Sequence, residues 1–335
     1  MSDLNNILKD ITAKKFAPIY FLYGDEPYFI DQISDAIEHS ALDESERGFN
    51  QMVLYGKDVK VDEIIESAKR FPMMAPYQVI IVKEAQHLSS KMSQMESYME
   101  QPSATTILVF NYKYKKPDGR TKVFKNIKKN GVAFESKTVY DNQMPNWISN
   151  HLKTKGYSIE PKATQMLVEF LGNDLSRVCN ELEKLTIVHD KSQPITPQAI
   201  EENIGFSKDF NNFELRKALG TRDTVKVHRI INYFAENPKD NPIVLTTAQL
   251  HSFFVQLLKV HALSDRSPKS VARAAGINPY FVQETMTAVR NYPMKYCSRA
   301  IKIIRELDVK SKGVGANQMS HADLLKETMV KIMAA

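Results

Sequence analysis

The chain has 335 residues, 43% of them hydrophobic and 25% charged, and a formal net charge of +6. That length exceeds one ordinary core, so two or three domains are expected, and the balance of residues excludes a disordered or membrane-embedded chain in favour of a soluble globular one. Cys179 and Cys297 lie far apart, each without a second cysteine or histidine at ligand spacing, which excludes a zinc site or disulfide framework and leaves two buried thiols in a reducing cytoplasm as the expectation.

The N-terminal MSDLNNILKD lacks the basic-then-apolar order of a signal peptide. The first 140 residues alternate strand-like and helix-like patterns. Strands are predicted at Ile19–Tyr23, Gln51–Tyr55, Gln78–Val82, Thr106–Phe110 and Val132–Glu135, short β-branched or aromatic runs bounded by polar or turn residues. Helices are predicted at Pro27–Ala41, Asp62–Arg70, Ser90–Glu100 and Thr121–Asn130. Such alternation implies an α/β layer with a mainly parallel sheet.

Beyond Tyr140 strand signals disappear. Residues 141–185 read as three helices, broken near Gly156–Pro161 and at Gly172-Asn173. In the third, Leu175, Val178, Leu182 and Leu185 share a face and Asp174 is placed to cap it. A fourth follows Thr196-Pro197, giving a small helical domain over 141–210 that ends near Gly205–Asn212. From Phe213 the pattern is helical throughout: Phe213–Leu219, Thr224–Glu236, Pro242–Leu263, Ser267–Ala275, Pro279–Arg290, Met294–Leu307 and Met319–Met333, a third domain over 211–335. Asn241–Leu258 carries no charge, but Thr246, Thr247, Gln249, His251, Ser252 and Gln256 interrupt it, so it reads as a buried helix and not a membrane span.

Strand, Gly24 and then a helix opened by Pro27 is the layout in which nucleotide-binding proteins place a phosphate loop. A working loop, GxxxxGK(S/T), cradles phosphate on backbone N–H groups, neutralises it with Lys and holds magnesium with a hydroxyl. Counting from Gly24, Phe29 stands for the second glycine, Ile30 for the lysine and Asp31 for the hydroxyl, while Asp25 and Glu26 sit where phosphate would lie. The helix entry is therefore expected to be capped by its own acids. The third strand ends in Lys83-Glu84, a lysine where a magnesium-binding carboxylate would be needed, so Glu84 reads as a solvated, locally paired group. Loss of both elements argues against an ATPase, and no cofactor or metal is expected.

PIYFLYGDEPYFIDQ (18–32), AKRFPMMAPYQVIIVKEA (68–85), LGNDLSRVCNELEKL (171–185), FELRKAL (213–219), AAGINPYFV and IRELDVKSKG occur in order over nearly the full chain. Jointly they resemble the bacterial DNA polymerase III delta subunits, in the clamp-loader branch of the AAA+ family. The resemblance implies an AAA+ α/β domain over 1–140, a helical lid and a collar, within a cytoplasmic replisome. It implies a non-catalytic subunit of a holoenzyme whose complex is a nucleotidyltransferase, one that binds and opens the sliding clamp (beta subunit). Its implied partners are the ATP-hydrolysing loader subunits, delta-prime and primer–template DNA, with no membrane.

In that family the clamp-opening element is a pair of bulky apolar residues between a helix and the third strand. It maps onto Phe71, Pro72, Met73 and Met74, with methionines where the family usually has a leucine and an aromatic. Methionine adapts to irregular apolar pockets; alternatively, these side chains belong to the core of the first domain. Residues 111–130 carry eight Lys/Arg against Asp118 alone. Lys113, Lys115 and Lys116, interleaved with Tyr112 and Tyr114, either track a phosphate backbone while the rings stack on bases or form a solvated face. Lys310 and Lys312, beside Gly313 and Gly315, are further candidates to face DNA. Asn111 and Arg177 fall where active relatives sense nucleotide; here Asn111 is expected to satisfy nearby backbone and Arg177 to make a salt bridge. The competing functions are an AAA+-like nucleotide hydrolase and a stand-alone DNA-binding protein.

Overall fold

The computed structural model describes residues 2–140, 142–204, 207, 209–315 and 319–334. Gly205, where the helical domain was expected to end, lies outside them. The chain divides into two compact units, Met1–Val139 and Tyr140–Ala335.

In the first unit, β1 (Ile19–Gly24), β2 (Gln51–Tyr55), β3 (Gln78–Lys83), β4 (Thr106–Lys113) and β5 (Val132–Ser136) form one sheet in the order β2-β3-β4-β1-β5. Every pairing is parallel. The inner strands β3, β4 and β1 are near-continuous apolar runs because helices cover both faces. Phe21 anchors one face against Phe110, Tyr112 and Phe124 at ring-centroid separations of 5.8, 5.3 and 5.8 Å.

β4 runs three residues beyond its predicted end. β1 remains beside it through the pairs Leu22–Asn111, Tyr23–Tyr112 and Gly24–Lys113, which carries Tyr112 into the core. The helix predicted over Ser90–Glu100 is instead a 3-10 helical run, Ala85–Met95, followed by one α-helical turn, Glu96–Glu100. Two helices were not anticipated, Ser2–Thr12 and the seven-residue Glu44–Asn50. The latter opens on a capping box in which the Asp43 side chain accepts from the Glu46 backbone and Glu46 accepts from the Asp43 N–H at 3.0 Å.

The second unit is helical. Met144–Thr154, Pro161–Leu171, Leu175–Val188 and Pro197–Ile204 form its first part. Leu175, Val178, Leu182 and Leu185 are buried, and Asp174 accepts from Arg177 N at 3.1 Å as the cap. The remainder packs around Ile243–His261, whose Leu250, Phe254, Leu257 and Val260 are buried with Ile230, Ile304 and Met329. That helix is long and apolar enough to span a membrane by length and composition alone, but its apolar face lies in this core. Cys179 and Cys297 are both buried thiols.

The two helical parts are stapled together. Glu169, on Pro161–Leu171, accepts from Phe213 N at 3.2 Å at the start of the helix Asn212–Gly220 and lies 3.6 Å from Arg216 on that helix. Reciprocally, Glu214 is paired with Lys162 at 2.6 Å and with Lys226.

Candidate functional site

At the carboxyl end of the sheet, where open α/β folds receive ligands, the positions of a phosphate loop are filled from within. Gly24 has φ +131°, and a Cβ there would meet the Ser136 carbonyl oxygen at 2.0 Å. That same oxygen accepts from Asp25 N at 3.0 Å, and Ser136 Oγ donates to the Glu26 carbonyl at 2.6 Å. Glu26 is the N-cap of the helix Pro27–Ser40 and accepts from Tyr28 N at 3.1 Å, as its expected capping role requires. Backbone N–H groups that would cradle phosphate are thus committed to protein acceptors. Phe29 and Ile30 are buried in the helix's packing face. Asp31 binds Lys113 Nζ at 2.7 Å.

The neighbouring polar positions follow suit. Lys83 lies 3.9 Å from Glu38, and Glu84, with φ +54°, accepts a hydrogen bond from Gln86 Nε2. Asn111 is buried, but its Oδ1 has no hydrogen-bond partner among the described residues, so it does not satisfy nearby backbone as expected. Arg177 makes no salt bridge among the described residues; its guanidinium lies 5.5 Å from the Phe170 ring centroid. The negative face of that ring supplies the contact that the expected carboxylate does not.

The basic stretch is less available than its sequence implies. Tyr112 is buried against Phe21 and cannot stack on a base. Lys113 is spent on Asp31, in a half-buried pair, and Lys116 binds Glu135 at 2.7 Å. The charges remaining toward solvent include Lys115, beside Tyr114, which is 64% exposed. In the second unit Lys310 faces Glu327 at 3.5 Å and Lys312 faces Asp308 at 2.8 Å, so each carries a local counter-charge.

The loop after the helix Val61–Ala68 has the opposite character. Val61, Ile64 and Ala68 bury that helix against the sheet. The Ala68 carbonyl accepts from Thr106 Oγ1 at 2.8 Å and Tyr98 OH at 3.3 Å, so the helix ends on a fixed point. The chain then projects Phe71, Met73 and Met74 at 86, 62 and 97% exposure. The alternative that these side chains fill the core is therefore overturned. Three adjacent large apolar groups in water form the kind of patch that a binding partner covers.

This loop is held by a residue the sequence did not single out. Asn50, 3% exposed, accepts from Met73 N at 2.6 Å and donates through Nδ2 to Met73 O at 3.0 Å. Met74 follows in the left-handed conformation, φ +54°. Phe49, next to Asn50, is 77% exposed. A contact spanning 23 residues leaves no spacing signal, and an asparagine ending an unpredicted short helix has no pattern to betray it.

Comparison with known proteins agrees with this architecture. Residues 20–137 match the family model of the DNA polymerase III delta subunit, 140–202 a middle-domain model, and 209–328 the model of the C-terminal domain of the delta subunit. DNA polymerase III subunit delta of Bacillus subtilis (strain 168) is 24% identical over 318 residues, covering 92% of this chain and 91% of its own. The solved structure of the Bacillus subtilis DNA clamp loader delta protein superposes with a TM-score of 0.57 at 21% identity, covering 99% of this chain and all of that one, and so shares the fold. With both delta models matched in order, on an α/β domain followed by helices, the chain belongs to the bacterial DNA polymerase III delta subunit family, the clamp-loader subunits of DNA replication.

Proposed function

We propose that this chain binds the sliding clamp through Phe71, Pro72, Met73 and Met74 and opens it without hydrolysing ATP. The observation that carries the reading is the exposure of Phe71, Met73 and Met74 on a loop whose base is fixed to the sheet. Burying side chains of this size against a partner contributes roughly 1.5–3 kcal/mol each before ordering costs are subtracted. A ring opens on binding when the partner's affinity for the open form exceeds that for the closed form. Apolar side chains that find a pocket only at a parted interface supply that difference, and nucleotide chemistry is not needed for it.

Residues 141–210 then serve as a lid-like domain and 211–335 as the collar that joins the ATP-hydrolysing subunits and delta-prime in the cytoplasm. Primer–template DNA enters the assembled loader, with Tyr114 and Lys115 as the remaining contacts from the basic stretch, since Tyr112 and Lys113 are buried or paired. The absence of ATP binding is supported by Asp25, Glu26 and Tyr28 N–H groups already bonded to Ser136 and Glu26. Equilibrium titration of the clamp with the Met73→Asp, Met74→Asp double variant tests the reading. Affinity falls at least about tenfold, the scale of a lost hot spot, with the melting temperature unchanged; affinity within twofold of the parent overturns the assignment.

A further inference from the structure

We infer that Asn50 is the positioning residue of the apolar loop, holding Met73 and Met74 in their binding geometry before the partner arrives; the inference rests on the clamp-binding reading above. Three observations converge on it. Asn50 is 3% exposed, although its carboxamide serves an exposed loop. That carboxamide engages both backbone groups of Met73, accepting from N at 2.6 Å and donating to O at 3.0 Å, in the manner of a neighbouring strand. Its own place is fixed: Nδ2 also donates to Glu46 O at 3.1 Å, and Asn50 lies between the capped helix Glu44–Asn50 and the edge strand β2.

A loop of this kind otherwise samples many conformations, and ordering it on binding lowers affinity. Asn50 removes that freedom at the residue whose side chain, with its neighbour's, makes the contact. The left-handed backbone at Met74, disfavoured for a residue with a Cβ, follows directly on the clamped Met73. A shorter or apolar side chain at position 50 leaves Met73 N–H and C=O to water and lets the turn relax.

The test is a double-mutant cycle in the full chain. The probe is the cognate sliding clamp, titrated without nucleotide, in the parent and in a Met73→Ala, Met74→Ala background. Asn50→Leu, nearly isosteric, weakens binding by about tenfold in the parent, the size expected for two lost positioning hydrogen bonds, and by less than twofold in the truncated background. Amide hydrogen exchange at Met73, slow in the parent, accelerates in Asn50→Leu. Equal weakening in both backgrounds, or an unchanged Met73 exchange rate, overturns the role of Asn50. If the Met73→Ala, Met74→Ala chain binds as tightly as the parent, the clamp-binding reading itself falls; if it binds weakly while Asn50→Leu binds like the parent, only the role of Asn50 falls. Should Asn50→Leu fail to fold, Asn50→Asp, which keeps the acceptor for Met73 N–H and loses the Nδ2 donor, enters the same cycle with the same expected contrast between backgrounds.

Discussion

Substituting Glu169 by Met strands a buried cation. Among the described residues Arg216 is left with one hydrogen bond, from Nη1 to Gln249 Oε1 at 3.0 Å, and a side chain only 16% exposed. Burial already pushes the Glu169 carboxyl up and the Arg216 guanidinium down, each against the charge of the other. Their closest approach is 3.6 Å, and Glu169 Oε2 has no hydrogen-bond partner among the described residues, so the attraction does not fully offset the desolvation of the two ions. Removing one member of such a pair costs about 3–5 kcal/mol, whereas replacing both with apolar side chains is close to neutral. For a unit of this size that single loss lowers the melting temperature by roughly 6–20 °C. The double variant Glu169→Met, Arg216→Met loses the cap on Phe213 N, the contacts from Asn212 and the partner of Gln249, about 1–3 kcal/mol together. Thermal unfolding of the full chain, followed by helical circular dichroism, compares them. A double variant as unstable as Glu169→Met refutes the stranded-charge account and assigns the effect to packing.

Gly24→Ala forces a Cβ to 2.0 Å from the Ser136 carbonyl at a φ of +131°. Backbone strain alone costs about 1–3 kcal/mol, and chemical denaturation registers a loss at least that large; no change would place the turn elsewhere. Burial works to raise the Glu214 carboxyl, but hydrogen bonds and charge from Lys162 and Lys226 outweigh it and hold it below the ordinary value of 4.5. Its stabilisation is therefore complete above 4.5 and is lost as pH falls through the lowered folded value. Glu169 acts in the opposite sense because its value is raised, so the comparison must be wild type against Glu214→Gln, whose melting temperature falls less steeply below pH 4.5; parallel profiles would contradict the assignment. Cys297 is fully buried, and burial pushes its thiol up to about 11. A maleimide therefore leaves it unmodified at neutral pH in the native chain and reacts after unfolding; rapid native labelling would refute that. Labelled ATP shows no saturable binding in equilibrium dialysis, and stoichiometric binding would reopen the nucleotide-hydrolase reading.

The parallel sheet was legible because inner strands such as Val79–Val82 and Ile107–Phe110 must be apolar on both faces. The end of β4 was not, because the polar Asn111 and Lys113 lie outside its apolar run and only the pairing with β1 extends it. The phosphate-tracking reading of the basic stretch is narrowed in the same region: spacing showed lysines and tyrosines alternating, but not that Tyr112 packs on Phe21 or that Lys113 meets Asp31, 82 residues away. Glu26 was legible as a cap since capping is local. Glu44–Asn50 escaped notice because ESERGFN has no apolar period and seven residues give little propensity signal. The apolar loop itself stood out from Phe71, Met73 and Met74 around a proline, while Asn50, its support, depends on a long-range contact that no periodicity encodes.

The most direct test of the central claim is a ring-opening assay. A cognate sliding clamp carries a fluorophore pair across one of its ring interfaces, and the isolated chain is added without nucleotide. The account predicts a saturable opening signal with the wild-type chain and none with the Met73→Asp, Met74→Asp variant at matched concentrations. Opening by the double variant equal to wild type would contradict it.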